Sequence, residues 1–175
     1  MTARQQGRTS QAQGAALERY LIATAHAAGL LLLHVPTPVQ ILAQAPARAG
    51  RPADPRLFLA RLEPARAVDF VGLTRGGRAI YMEAKTTTDE ASPRRWTLPD
   101  RLRLPDEAHP DRGHQGAQLL DAHARGAWAG VYLRWGALDD YLIPADALPL
   151  AAASWSRDDV APYRLPAHGR WWEGI

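Results

Sequence analysis

Ala67-Val68-Asp69-Phe70-Val71-Gly72-Leu73-Thr74-Arg75-Gly76-Gly77-Arg78-Ala79-Ile80-Tyr81-Met82-Glu83-Ala84-Lys85 reads as two short strands around a turn. Residues 67–73 and 78–84 are mostly apolar, and Thr74-Arg75-Gly76-Gly77 between them supplies the glycines of a hairpin loop. Side chains alternate along a strand, so Glu83 and Lys85 share one face while Met82 and Ala84 take the other. A hairpin can bring Asp69 beside Glu83. Two hard carboxylates on neighbouring strands, open on one side, suit Mg²⁺ or Mn²⁺ that keeps several of its waters. Such a metal polarises a phosphoryl oxygen and acidifies a bound water, while a lysine stabilises developing charge. Asp69, Glu83 and Lys85 are therefore the candidate catalytic residues of a phosphodiester hydrolase, with Asp69 and Glu83 as metal ligands.

Glu-x-Lys pairs on strands also occur as surface ion pairs that contribute little. Two features favour the catalytic reading. Both strands are apolar, and of 21 basic residues Lys85 alone is lysine, the rest being arginine. Lysine is a compact charge whose pKa can be shifted, whereas guanidinium stays protonated.

Outward from this core, Gln11 to about Ala28 carries apolar residues at helical spacing, and Gly29 suits its stop. Residues 1–10 are polar and basic and are expected to be mobile. Leu30–Val35 has strand length, Pro36-Thr37-Pro38 breaks it, and Val39–Leu42 resumes extended structure. Residues 43–66 turn rich in Ala, Pro and Arg, a projecting excursion with a short helical turn at Arg56–Leu62. Four prolines punctuate 86–112 as a long loop. Gly113–Arg125 suits a helix, Ala127–Trp135 a buried strand, Tyr141–Ile143 a shorter one and Asp146–Ala153 a short helix. The tail, 156–175, is aromatic and is expected to pack back on the domain or on a partner. This order argues for an α/β fold, a mixed sheet flanked by helices, within a single domain over 1–175.

Composition removes several classes. There is no cysteine, so disulfides and thiolate zinc sites are excluded. The histidines are scattered; His109 and His114, five apart in a Pro/Gly-rich stretch, make a poor metal pair. The apolar run Tyr20–Leu33 is shorter than the ~20 residues a membrane helix needs, and its flank is unlike a secretory signal. An intracellular protein without a membrane span is expected. The net charge of +3 permits nucleic-acid binding without demanding it.

These residues resemble the PD-(D/E)XK nuclease superfamily, with Val68-Asp69 in place of Pro-Asp and Glu83-Ala84-Lys85 as the E-x-K. Within it the chain is similar to the RecU-type Holliday junction resolvases. His34-Val35-Pro36-Thr37-Pro38-Val39-Gln40-Ile41, Asp69-Phe70-Val71-Gly72, Met82-Glu83-Ala84-Lys85-Thr86 and His114-Gln115 carry the resemblance, supported by Gly14-Ala15-Ala16-Leu17-Glu18 and Tyr141-Leu142-Ile143-Pro144. It covers roughly residues 7–155. The resemblance implies a restriction-endonuclease-like fold and a Mg²⁺-dependent homodimer, with Mn²⁺ as a substitute and no nucleotide cofactor. Such an enzyme cuts opposing strands of branched DNA at a four-way junction in recombination and repair, and would be cytoplasmic and nucleoid-associated. It implies Gln115 as a further metal-site residue and makes 43–66 the stalk that enters the junction. The family commonly has Thr two residues before the Asp; this chain has Ala67.

Arg94 and Arg95, after the catalytic strand, and Arg8 near the N-terminus are candidate DNA-backbone contacts, against the plainer reading of solvated arginines. Glu18 is weighed as a helix carboxylate near the metal, with a plain helix-surface carboxylate the favoured reading. Trp96 is expected to anchor its loop more than to stack on a base. Two other readings stay open: a PD-(D/E)XK endonuclease for another DNA substrate, of repair, phage or restriction type, and a catalytically decayed DNA-binding protein.

Overall fold

The structure, a computed structural model, describes residues 3–36, 39–44, 58–62, 68–87, 95–97, 99, 102–103, 114–136, 139–148, 154–166 and 170–175. Helix α1 (Ala3–Ala27) presents Leu17, Leu21 and Ala25, spaced by four, to the core, where each is buried. It ends at Gly29, whose φ of 71° lets Leu30 N–H reach Ala25 O at 2.9 Å before the chain enters β1 (Leu31–His34). Without a Cβ, glycine adopts this left-handed conformation cheaply. The helix starts eight residues earlier than the sequence pattern indicated. Arginine and glutamine are good helix formers, so the expectation of a mobile stretch at 1–10 is corrected for Ala3–Ser10.

A five-stranded sheet runs in the order β1, β4 (Phe70–Leu73), β5 (Ala79–Thr87), β7 (Trp128–Trp135), β8 (Asp139–Pro144). All neighbours are antiparallel except β5 and β7, which are parallel from Ile80↔Trp128 to Thr87↔Trp135. A parallel pair needs a crossover, and α2 (His114–Ala124) lies in that connection. The sheet separates two cores. On the α1 side Ile80, Met82, Tyr132 and Leu142 pack with Leu17, Leu21, Phe70 and Trp171. On the α2 side Val68, Val131, Leu133 and Ile143 pack with Leu119 and Ala122. Strand β7 is interior, and a Cβ at its Gly130 would fall 2.3 Å from Ile143 O, so only glycine permits β8 to close there.

On the α1 side Arg134 donates to both oxygens of Asp140 at 2.7 and 2.8 Å, with Tyr20 under its guanidinium at 4.9 Å. This ties the helix to β7 and β8. The tail folds back on the domain: Trp171 is fully buried, donates Nε1–H to Thr24 Oγ1 at 2.8 Å and meets Tyr132 edge-on. Leu165 N–H donates to Asp140 O, capping the outer edge of β8.

Three expectations are corrected. Phe58–Leu62 forms strand β3, paired antiparallel with β2 (Val39–Gln44), where a helical turn was expected at Arg56–Leu62. A short apolar run fits either period, and the pairing decides. Within the expected loop 86–112, β5 continues to Thr87 and Arg95–Thr97 forms strand β6, paired with β9 (Ser154–Ser156). After β8 a single 3₁₀ turn, Ala145–Ala147, ends at an extended Leu148. The remainder of the proposed helix to Ala153, the rest of the 43–66 excursion, Ala67, Arg94 and His109 lie outside the described residues.

Candidate active site

Asp69 sits immediately before β4, and Glu83 and Lys85 lie toward the end of β5, so the hairpin brings all three together. The two carboxylates brace each other's strands. Asp69 N–H donates to Glu83 Oε2 at 3.1 Å, and Ala84 N–H donates to Asp69 Oδ2 at 3.0 Å. The Lys85 ammonium donates to Glu83 Oε1 and lies 3.9 Å from Asp69 Oδ2. Glu83 and Lys85 stand on the α2 face, as the alternation with buried Ile80 and Met82 on the α1 face requires, and Asp69 joins them through its bonds to Glu83 and Ala84.

Burial differs sharply within this group. Glu83 is fully buried, whereas the side chains of Asp69 and Lys85 are 29% and 21% exposed. Loss of solvent raises the Glu83 carboxyl from its ordinary 4.5 to about 7. The Lys85 charge opposes the rise, and the nearby Asp69 carboxylate adds to it. A buried carboxylate whose ionisation is disfavoured is one that gains most from an additional cation.

The donor set fits a hard divalent cation. Two carboxylates offer oxygen ligands, each oxygen with lone pairs beyond its present hydrogen bond. Among the described residues no group of three or more His, Asp or Glu side chains is disposed to hold a metal. Two carboxylates alone suit a cation that binds through one or two of them and retains waters, as Mg²⁺ does.

Helix α2 packs on the same face. Gln115, near its start, is buried. Three residues on, Gln118 Oε1 accepts a hydrogen bond from Val68 N–H at 3.1 Å, which fixes the backbone just before Asp69. Gln118 was not singled out from the sequence. Its signal was two glutamines at i and i+3 on a helix face otherwise made of Leu119 and Ala122.

The remaining candidates fall around this centre. Glu18 pairs with His34 at 3.7 Å, and His34 stacks edge-on against Phe70, the residue after Asp69. Phe70 packs on the α1 side of the sheet, so this contact lies on the face opposite the carboxylate pair. Arg95 is engaged by Ser154, donating to Oγ at 2.7 Å and to the carbonyl at 3.0 Å. Trp96 packs edge-on against the fully buried Trp155, which anchors β6. Arg8 lies within α1, its side chain outside the described residues.

A mixed sheet with carboxylates and lysine at one end, a helix on each face and a crossover from β5 to β7 is a restriction-endonuclease-like fold. The solved structure of Hjc, a Holliday junction resolvase from the archaeon Archaeoglobus fulgidus, has this fold, with a TM-score of 0.52. The likeness covers 87% of this chain and 94% of that one, at 17% sequence identity. No protein-family model matches the sequence, and no curated protein matches it. No helix among the described residues is long and apolar enough to cross a membrane.

Proposed function

We propose that this chain is a Mg²⁺-dependent, structure-specific endonuclease that cuts four-way DNA junctions, of the RecU-type group. The observation that carries the reading is the convergence of Asp69, Glu83 and Lys85 on one face at the ends of paired strands. The solved neighbour is itself described as a Holliday junction resolvase, and it shares the fold along nearly its whole length.

In this reading Asp69 and Glu83 hold the cation, with Gln115 supporting the site from α2. When bound, the cation polarises a phosphoryl oxygen and lowers the pKa of a coordinated water. Lys85 is positioned to meet the negative charge that develops on the phosphate during attack. Its ammonium is held between the two carboxylates, so it is oriented before substrate arrives. Glu83 gives up its proton preference once a positive charge stands beside it. Arg8 and Arg94 would meet the DNA backbone, and the β2–β3 excursion would enter the branch centre. Two copies, as a homodimer, would supply the paired cuts on opposing strands at the nucleoid.

A substrate panel tests this. With Mg²⁺, a synthetic four-way junction should receive symmetric paired nicks while linear duplex is left largely intact. Equal cutting of both would remove the junction specificity, and no cutting of any DNA would remove the nuclease reading.

A further inference from the structure

We infer that Gln118 is a positioning residue of the active site: through its bond to Val68 N–H it holds the Asp69 backbone in place independently of the catalytic carboxylates. This rests on the nuclease reading above and adds a residue to which the resemblance does not point.

The inference follows from where the backbone donors around Asp69 find partners. The ladder between β1 and β4 runs to His34↔Phe70, and its last bond is Val35 N–H to Asp69 O at 2.8 Å. Before that point the chain has no sheet partner among the described residues. Val68 is nonetheless 1% exposed, packed in the α2-side core. A backbone N–H at such a position needs an acceptor, and the Gln118 side chain supplies it at 3.1 Å.

Two other bonds fix the same segment on its catalytic side, Asp69 N–H to Glu83 Oε2 and Ala84 N–H to Asp69 Oδ2. Both use carboxylate oxygens that a cation would recruit. A cation held by those oxygens would compete with the backbone amides for their lone pairs. The Gln118 bond is made by a neutral amide on a different element and has no such conflict. It lets the carboxylates reorganise without releasing the backbone that carries Asp69. Groups that orient metal ligands in this indirect way typically change metal affinity 10–100-fold when removed.

The experiment compares Gln118→Met with Gln118→Glu in the full chain. Methionine keeps the length of the side chain and loses the acceptor; glutamate keeps an acceptor oxygen at the same reach. Mn²⁺ affinity by calorimetry and turnover on a four-way junction are read together, with junction binding in EDTA as the control. The expected result is a roughly 10–100-fold loss of Mn²⁺ affinity and turnover in Gln118→Met. Junction binding should stay unchanged, and Gln118→Glu should remain within a few-fold of wild type. Wild-type Mn²⁺ affinity in Gln118→Met, or equal losses in both variants, overturns the inference. Hydrogen exchange on the unmodified protein gives a reading that does not depend on how a variant folds. The Val68 amide should be strongly protected with and without Mg²⁺, and free exchange at Val68 would also overturn the proposal. If the wild type cleaves no DNA, the nuclease reading fails, whereas the Val68 protection and Mn²⁺ affinity still decide the role of Gln118.

Discussion

Replacing Glu83 by glutamine should stabilise the metal-free protein at pH 8 and have almost no effect at pH 4.5. Glu83 is fully buried, and its carboxyl is raised from 4.5 to about 7. Each tenfold change in proton affinity is worth about 1.4 kcal/mol, so ionising this buried group makes the folded state about 3 kcal/mol less stable. Below 4.5 the carboxyl is protonated in both folded and unfolded chains, and glutamine resembles it. Between 4.5 and 7 the unfolded chain loses its proton while the folded one keeps it, so wild-type stability falls as pH rises. Above 7 the full difference is in place and stays constant.

Comparing the two proteins at each pH cancels the titrating groups that do not interact with Glu83; Asp69 and Lys85 stay linked to it. For a domain of this size, about 3 kcal/mol corresponds to a melting-temperature gain of roughly 6–12 °C at pH 8. Urea melts at pH 4.5, 6 and 8 measure the trend. Saturating Mg²⁺ at pH 8 should then close or reverse the gap, because a ligand at about 100 times its Kd stabilises the native state by about 2.7 kcal/mol. A variant less stable than wild type at pH 8, or a difference that does not change with pH, would refute the idea that Glu83 is held at a cost which a cation relieves.

Lys85→Ala should abolish cleavage and leave junction binding in EDTA intact, and an active variant would remove Lys85 from the site. Gly130→Ala would push a Cβ to within 2.3 Å of Ile143 O; a loss of at least about 1–3 kcal/mol in urea melts is expected, and an unchanged midpoint would contradict the β7–β8 register. Trp171→Ala should cost about 3–5 kcal/mol, because the ring is fully buried and its Nε1–H bond to Thr24 is lost. A wild-type midpoint there would mean that the tail does not pack on α1.

The catalytic hairpin was legible because its information is local. Alternation fixed the shared face of Glu83 and Lys85, and Gly76-Gly77 marked the turn that folds Asp69 toward them. Strand β7 was legible as a continuous apolar run, which a strand covered on both faces produces. Long-range pairing was not. Strand β6 is three residues, Arg95-Trp96-Thr97, and is extended because Ser154–Ser156 lies alongside it. Phe58–Leu62 took the strand state for the same reason, although its leucines at 59 and 62 also fit one helix face. Gln118 escaped notice because its role depends on a tertiary neighbour fifty residues away.

The position of the β2–β3 excursion bears on why the site is built as it is. The chain leaves the sheet after Val35 and returns at Val68, so the insertion interrupts a β1–β4 pairing that a tight turn would have continued. That interruption leaves the amides of Val68 and Asp69 outside the ladder. One is taken by the half-buried Gln118 and the other by the buried Glu83, so a side chain from each of two elements converges on the segment that carries Asp69. In a continued ladder successive amides point to opposite edges of the strand, so β1 could have taken at most one of the two. The end of the β1–β4 ladder thus leaves to Gln118 and Glu83 the backbone donors that fix the candidate catalytic group.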